Sequence, residues 1–147
     1  MKTKILIAED ALSISATLDE NKLIPQGGVY FMVPEIDISL KYTLAVLNSK
    51  LLSKIYKILY GGMHMGGGYL RYRSEFLEQL PFKIVTESHQ QPILKLVDRM
   101  LSLNKQLQSL GDKKTAQTAK LEEEIKRTDQ EIDELVYKIY GITEEEK

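Results

Sequence analysis

Apolar residues recur at alternating three- and four-residue steps in two stretches of the C-terminal third, and that pattern leaves little choice of fold there. Ile93, Leu96, Met100, Leu103, Leu107 and Leu110 make one stripe; Leu121, Ile125, Thr128, Ile132, Leu135 and Ile139 make the second. A three-four repeat lines one side of an α-helix, and that side needs another helix to cover it. The first stripe is about 27 Å long at 1.5 Å per residue. The segment "GDKKT" between the stripes has room for a turn and for nothing else. The expectation is an antiparallel helical hairpin over residues 91–147, with Gly141 ending its second helix. Two readings of it stand: a packed helical pair, or a coiled-coil-like spacer that also self-associates. Leu and Met dominate the first stripe, so it sets no oligomer number.

Residues 1–90 have a different texture. "KILIA" is a short apolar run, "SISATL" alternates from Ser13 to Leu18, and "GVYFMV" follows two glycines and stops at Pro34. These read as strands separated by turn-forming residues. Ser39 has the residue type of a helix N-cap. After it Leu40, Leu44, Leu47, Leu51, Leu52, Ile55, Ile58 and Leu59 form one apolar face as far as Gly61 and Gly62. "GYLRYR" alternates at period two, which puts Tyr69, Arg71 and Arg73 on one side of a strand and Leu70 and Tyr72 on the other. "SEFLEQL" reads as a helical turn stopped by Pro81, and "FKIV" as a further strand. The fold class expected is therefore α+β: a small mixed sheet with a packed helix over residues 1–90, followed by the hairpin.

The whole chain of 147 residues carries a formal charge of only −1, but the charge is segregated. Between Asp37 and Glu75 there is no acid, while Lys41, Lys50, Lys54, Lys57, Arg71 and Arg73 all fall inside, with His64. From Leu101 onward eight Lys and Arg face eleven Asp and Glu. An anionic partner responds to the local field of the basic middle rather than to the mean. Lys50, Lys54 and Lys57 recur at four- and three-residue steps on one helix face. They read either as phosphate contacts or as a solvated face. Arginine can take a guanine edge with a bidentate pair, and tyrosine can stack or meet a phosphate. The glycine-rich segment 61–68 lets a backbone approach a phosphate closely. DNA-binding candidates are thus Lys41, Lys50, Lys54, Lys57, His64, Tyr69, Arg71 and Arg73.

Other chemistries find less support. The glycines are followed by Tyr69, with no GK[ST] to cradle phosphates and no dinucleotide fingerprint. With no cysteine and two distant histidines, His64 and His89, a transition-metal site has no ligand set. Asp10 followed by Glu20-Asn21-Lys22 loosely imitates a metal-dependent nuclease. Glu124-Ile125-Lys126 repeats the second half of that pattern on an evident surface helix, so the pattern carries little information. No catalytic triad or dyad is supported. No apolar run reaches membrane-spanning length, and "MKTKILIAED" turns acidic too early for a signal peptide. Lack of cysteine suits a reducing compartment. A soluble, cytoplasmic protein is expected.

Taken in order, "YTLAVLNSKLLSKIYK", the glycine-rich segment, "GYLRYRSEFLEQLPF", "ILKLVDRMLSLNKQL" and "TDQEIDELVYKIYGITEEE" resemble a known family. Its members are TaqI-like C-terminal specificity domains of adenine-specific DNA methyltransferases and of fused type II restriction-modification enzymes. Leu47-Asn48-Ser49, Leu80-Pro81-Phe82 and the ending from Ile132-Asp133 to Tyr140-Gly141 anchor the resemblance, which spans nearly the whole chain. It implies that the chain reads a sequence in double-stranded DNA. A methyltransferase domain of the same parent chain would carry S-adenosylmethionine and methylate adenine N6. No cofactor-binding glycine loop and no Asn/Asp-Pro-Pro-aromatic motif for a flipped adenine occurs here, so the resemblance implies a fragment that itself needs no cofactor. Glu9 and Asp10 depart from the pattern, standing where basic or polar residues are expected near DNA. The alternative is a helical protein-interaction adaptor, or a specificity-subunit fragment, that docks a methylase or nuclease partner.

Overall fold

The structure, a computed structural model, describes residues 3–20, 27–33, 38–61 and 70–147. His64 and Tyr69 lie outside the described residues, as does most of the glycine-rich segment. Two compact units divide the chain, Met1–Ile84 and Val85–Lys147.

In the first unit, strand β1 (Lys4–Ala8) lies between β3 (Ala16–Asp19) and β4 (Val29–Met32). Each described pairing in this unit is antiparallel, in place of the mixed sheet expected. Alternation along β1 puts Ile5 and Ile7 in the core and leaves Leu6 and Ala8 half-buried. Lys4 and Asp19 sit opposite each other and form an ion pair, their side chains 4% and 2% exposed. Such a pair adds little net stability, but a one-residue slip would bury each charge alone. It therefore fixes register.

Helix α1 (Leu40–Leu47) packs on β1 and β3, with Tyr42 through Leu47 buried. Ser39 does cap it, its side chain accepting from the Tyr42 N–H. The single helix expected from Ser39 to Gly61 is in fact two. Asn48 ends α1, and Ser49, with extended backbone (φ −66°, ψ 148°), caps α2 (Lys50–Tyr60) by accepting from the Leu52 N–H. Polar side chains at this corner are used on strand backbone. Asn48 Oδ1 accepts from the Ala16 N–H at 2.7 Å, and its Nδ2 donates to the Ala16 carbonyl at 2.8 Å. Ser53 Oγ accepts from the Ile14 N–H at 3.0 Å. Regular strand begins at Ala16 rather than at Ser13.

The apolar face of α2 differs from the expected one too. Ile58 and Leu59 are exposed, whereas Tyr56 is fully buried. At 3.6 residues per turn Tyr56 continues the Leu52 line, while Ile58 stands about 160° around the axis from it. Residues 82–85, expected as a strand, are irregular. Tyr42 packs edge-on against Phe82, ring centroids 5.7 Å apart, and its hydroxyl donates to the Lys83 carbonyl at 2.7 Å. A side chain thus takes a bond that a neighbouring strand would otherwise supply.

The second unit is the hairpin. Helix α4 (Glu87–Ser109) starts ahead of the stripe and carries Pro92 inside; helix α5 (Ala116–Ile139) packs back along it. Gly111, at φ +67°, makes the turn, and Thr115 and Thr118 form a reciprocal capping box at the start of α5. Of the stripe residues, Ile93, Leu103, Leu121, Thr128 and Ile132 are buried and the others half-buried; Val97, Val136 and Tyr137 are buried beside them, so the covered face is wider than a strict seam. Thr128 is wholly buried and donates its hydroxyl hydrogen to the Glu124 carbonyl at 2.8 Å. Among the described residues no helix is long and apolar enough to cross a membrane.

Candidate nucleic-acid interface

The site forms where β1 ends. Glu9 serves two sheets: its N–H donates to the Gly28 carbonyl at 2.9 Å, and its carbonyl accepts from the Tyr72 N–H at 2.6 Å. The next residues, Asp10–Ala11 (β2), pair antiparallel with Leu70–Arg71 (β5), setting Asp10 opposite Arg71. The expected alternation holds over the described part of this segment. Leu70 and Tyr72 are 2% and 0% exposed, and Arg71 and Arg73 point outward.

Tyr56 of α2 fixes the backbone between the two arginines. Its hydroxyl donates to the Arg71 carbonyl at 2.9 Å and accepts from the Arg73 N–H at 3.2 Å. Its ring lies 4.7 Å from that of Tyr72 and 5.2 Å from that of Tyr60; Tyr60 in turn stacks on Phe76 at 4.4 Å. Phe76 belongs to the single helical turn α3 (Ser74–Leu77). Burial raises the Tyr56 phenol above its ordinary value of 10.0, against a smaller lowering by the Arg73 backbone bond. Tyr72 is raised as well, by burial first and then by Tyr56. Both phenols are therefore neutral near pH 7, so Tyr56 can donate and accept at once. The Tyr72 hydroxyl is buried and has no hydrogen-bond partner among the described residues.

Arg71 and Arg73 are brought together on one outward side. The stretch that is acid-free in sequence is not acid-free in space. Arg71 Nε stands 3.3 Å from Asp10 Oδ1, and Arg73 Nε stands 3.0 Å from Glu75 Oε1. The lysines are arranged differently. Lys50, Lys54 and Lys57 are exposed on α2, within a sector of about 60° and roughly 100–160° around the axis from Tyr56. They turn away from the side of α2 that Tyr56 presents to the arginine segment. Lys41 is half-buried on α1, a separate element.

Three residues at this site were not among the candidates: Tyr56, Asp10 and Glu75. A tyrosine on a leucine line is the available signal for the first, since a buried hydroxyl requires a partner. Asp10 gives no local signal, because only the β2–β5 pairing brings it to Arg71.

An antiparallel sheet packed against a helix, with two guanidiniums projecting from a braced extended segment, makes a unit of the α+β class. Residues 1–82 match the family described as the TaqI-like C-terminal specificity domain, and the chain belongs to that family. At family level this is a specificity, or DNA-recognition, domain of the restriction-modification methyltransferase type. The match ends at Phe82, so α4 and α5 lie outside it, although the sequence resemblance was drawn over nearly the whole chain. A search of the curated proteins found no match.

Proposed function

We propose that the first unit reads a sequence in double-stranded DNA on behalf of an adenine-N6 methyltransferase. In this reading the catalytic domain lies elsewhere in the parent chain and carries S-adenosylmethionine. Arg71 and Arg73 take base edges, and Lys50, Lys54 and Lys57 take phosphates. The hairpin acts as a spacer toward the catalytic domain.

The observation that supports this most is the strand carrying the arginines. Tyr72 between them is completely buried, the Tyr56 hydroxyl holds the peptide units on both sides of it, and both guanidiniums remain about half-exposed. A binding group on a braced strand loses less freedom on contact than one on a loose loop.

The test is binding of the 147-residue chain to duplex DNA across a series of salt concentrations. If about four phosphates are neutralised, log K falls against log salt with a slope near −3.6. Arg71→Ala or Arg73→Ala should reduce discrimination between an enriched duplex and an unselected pool by about 1–3 kcal/mol for a bidentate base contact. Lys54→Ala should weaken all duplexes alike. A flat salt dependence would refute the reading, and equal loss on every sequence would make the arginines phosphate contacts.

A further inference from the structure

Both arginines already hold a carboxylate, and both do so through the same nitrogen. Arg71 meets Asp10 through Nε at 3.3 Å; Arg73 meets Glu75 through Nε at 3.0 Å. These pairs are not buried: the side chains are 50% and 38% exposed in the first and 51% and 57% in the second. The acids come from different elements, Asp10 from the strand beside β5 and Glu75 from the first turn of α3. Two independent parts of the chain thus impose one arrangement.

We propose that Asp10 and Glu75 are positioning residues that set the specificity of this surface. Each occupies Nε of its arginine and leaves the Nη1/Nη2 fork as the face presented to a guanine edge, while weakening the hold of that arginine on a phosphate. This rests on the DNA-recognition reading above and deepens it.

Physically, the two targets respond differently to a neighbouring carboxylate. A phosphate binds through charge, and an acid about 6 Å from it repels it in water by an amount on the order of thermal energy. A guanine edge is neutral and offers O6 and N7, which the Nη fork meets as two parallel hydrogen bonds. Pairing at Nε also removes rotations of the guanidinium that would misalign that fork. The acid therefore disfavours sequence-blind contacts more than base contacts, and specificity is the difference between the two. It also accounts for an acid at position 10, where the family resemblance led us to expect a basic or polar residue.

The test uses the full chain with Asp10→Asn, which keeps shape and removes charge, and Glu75→Gln in parallel. The wild type first enriches a sequence from a randomised duplex pool. Affinities for that duplex and for the unselected pool are then measured at several salt concentrations. Asp10→Asn should tighten binding to the unselected pool about two- to fivefold and steepen its salt slope by about 0.9 as one more phosphate is engaged. The ratio of enriched to unselected affinity should fall. In an Arg71→Ala background the same substitution should leave that ratio unchanged. An Asp10 effect of equal size with and without Arg71 would mean bulk charge alone and would overturn the proposal. Unchanged ratios and slopes in both acid variants would overturn it as well. Should Asp10→Asn lower the melting midpoint, Glu75→Gln decides alone. If the wild type enriches no sequence, the DNA reading falls and this proposal with it; if it does and the acid variants match it, only this proposal falls.

Discussion

Two tyrosines 4.7 Å apart should respond with opposite signs to the same chemical change. Tyr56→Phe removes one oxygen and with it two hydrogen bonds, to the Arg71 carbonyl and from the Arg73 N–H. Leaving a buried donor without a partner costs about 1–3 kcal/mol, and the carbonyl, with its second lone pair, costs less. A loss of about 2 kcal/mol is expected. For a unit of this size that lowers the melting midpoint by about 8–16 °C. Tyr72→Phe removes a hydroxyl that is buried without a partner among the described residues, while the ring keeps its packing. It should be neutral or stabilising by up to about 1 kcal/mol. Urea unfolding followed by far-ultraviolet circular dichroism gives the two midpoints, compared at equal m. Amide hydrogen exchange supplies the local reading: the Arg73 N–H should exchange faster in Tyr56→Phe and at the wild-type rate in Tyr72→Phe. Shifts of the same sign and size, or an Arg73 amide indifferent to position 56, would refute the bracing role.

The raised phenols of Tyr56 and Tyr72 predict alkaline instability. The unfolded chain gives up these protons near pH 10 and the folded chain only above it, so stability is complete below about pH 10 and is lost as pH rises through the folded values. A urea midpoint that stays constant from about pH 10 to 12 would contradict this, and Tyr72→Phe should flatten the decline. In the hairpin, Thr115→Ala removes the capping box and should cost about 1 kcal/mol. Gly111→Ala should cost about as much from positive φ alone, since a Cβ there meets nothing within 4 Å. Thermal midpoints unchanged in both variants would refute the account of this turn.

The parts of the molecule readable from its residues are those governed by period. The two heptad stripes gave the hairpin, and the alternation of Leu70, Arg71, Tyr72 and Arg73 gave the inward and outward sides of β5 and the two residues after it. The break at Asn48–Ser49 was hidden because leucines at 44, 47, 51 and 52 keep helical spacing straight across it. What breaks the helix is the demand of strand backbone at Ile14 and Ala16 for partners, and that demand exists only after the chain has folded back. The acids of the site are readable only in part: Asp10 stands out as a departure from the family pattern and Glu75 as the border of the acid-free stretch, but neither shows which arginine it meets. Asp10 lies sixty-one positions from Arg71 and arrives by strand pairing, so a stretch without acids in sequence says little about charge in space. Ile58 and Leu59 mislead in the opposite way, since three- and four-residue spacing placed them on the buried face and the structure leaves both exposed.

The Asn48 side chain has a consequence beyond joining a helix corner to a strand. Its amide meets the Ala16 N–H and C=O as the backbone of a fourth strand would, and Ser53 takes the Ile14 N–H beside it. An open border of a sheet invites a second molecule to extend it, the route to domain exchange and fibrils. Here the positions at the Ala16 end of β3, where such a visitor could begin to zip, are already filled, so that end of the border is closed by the chain's own helices.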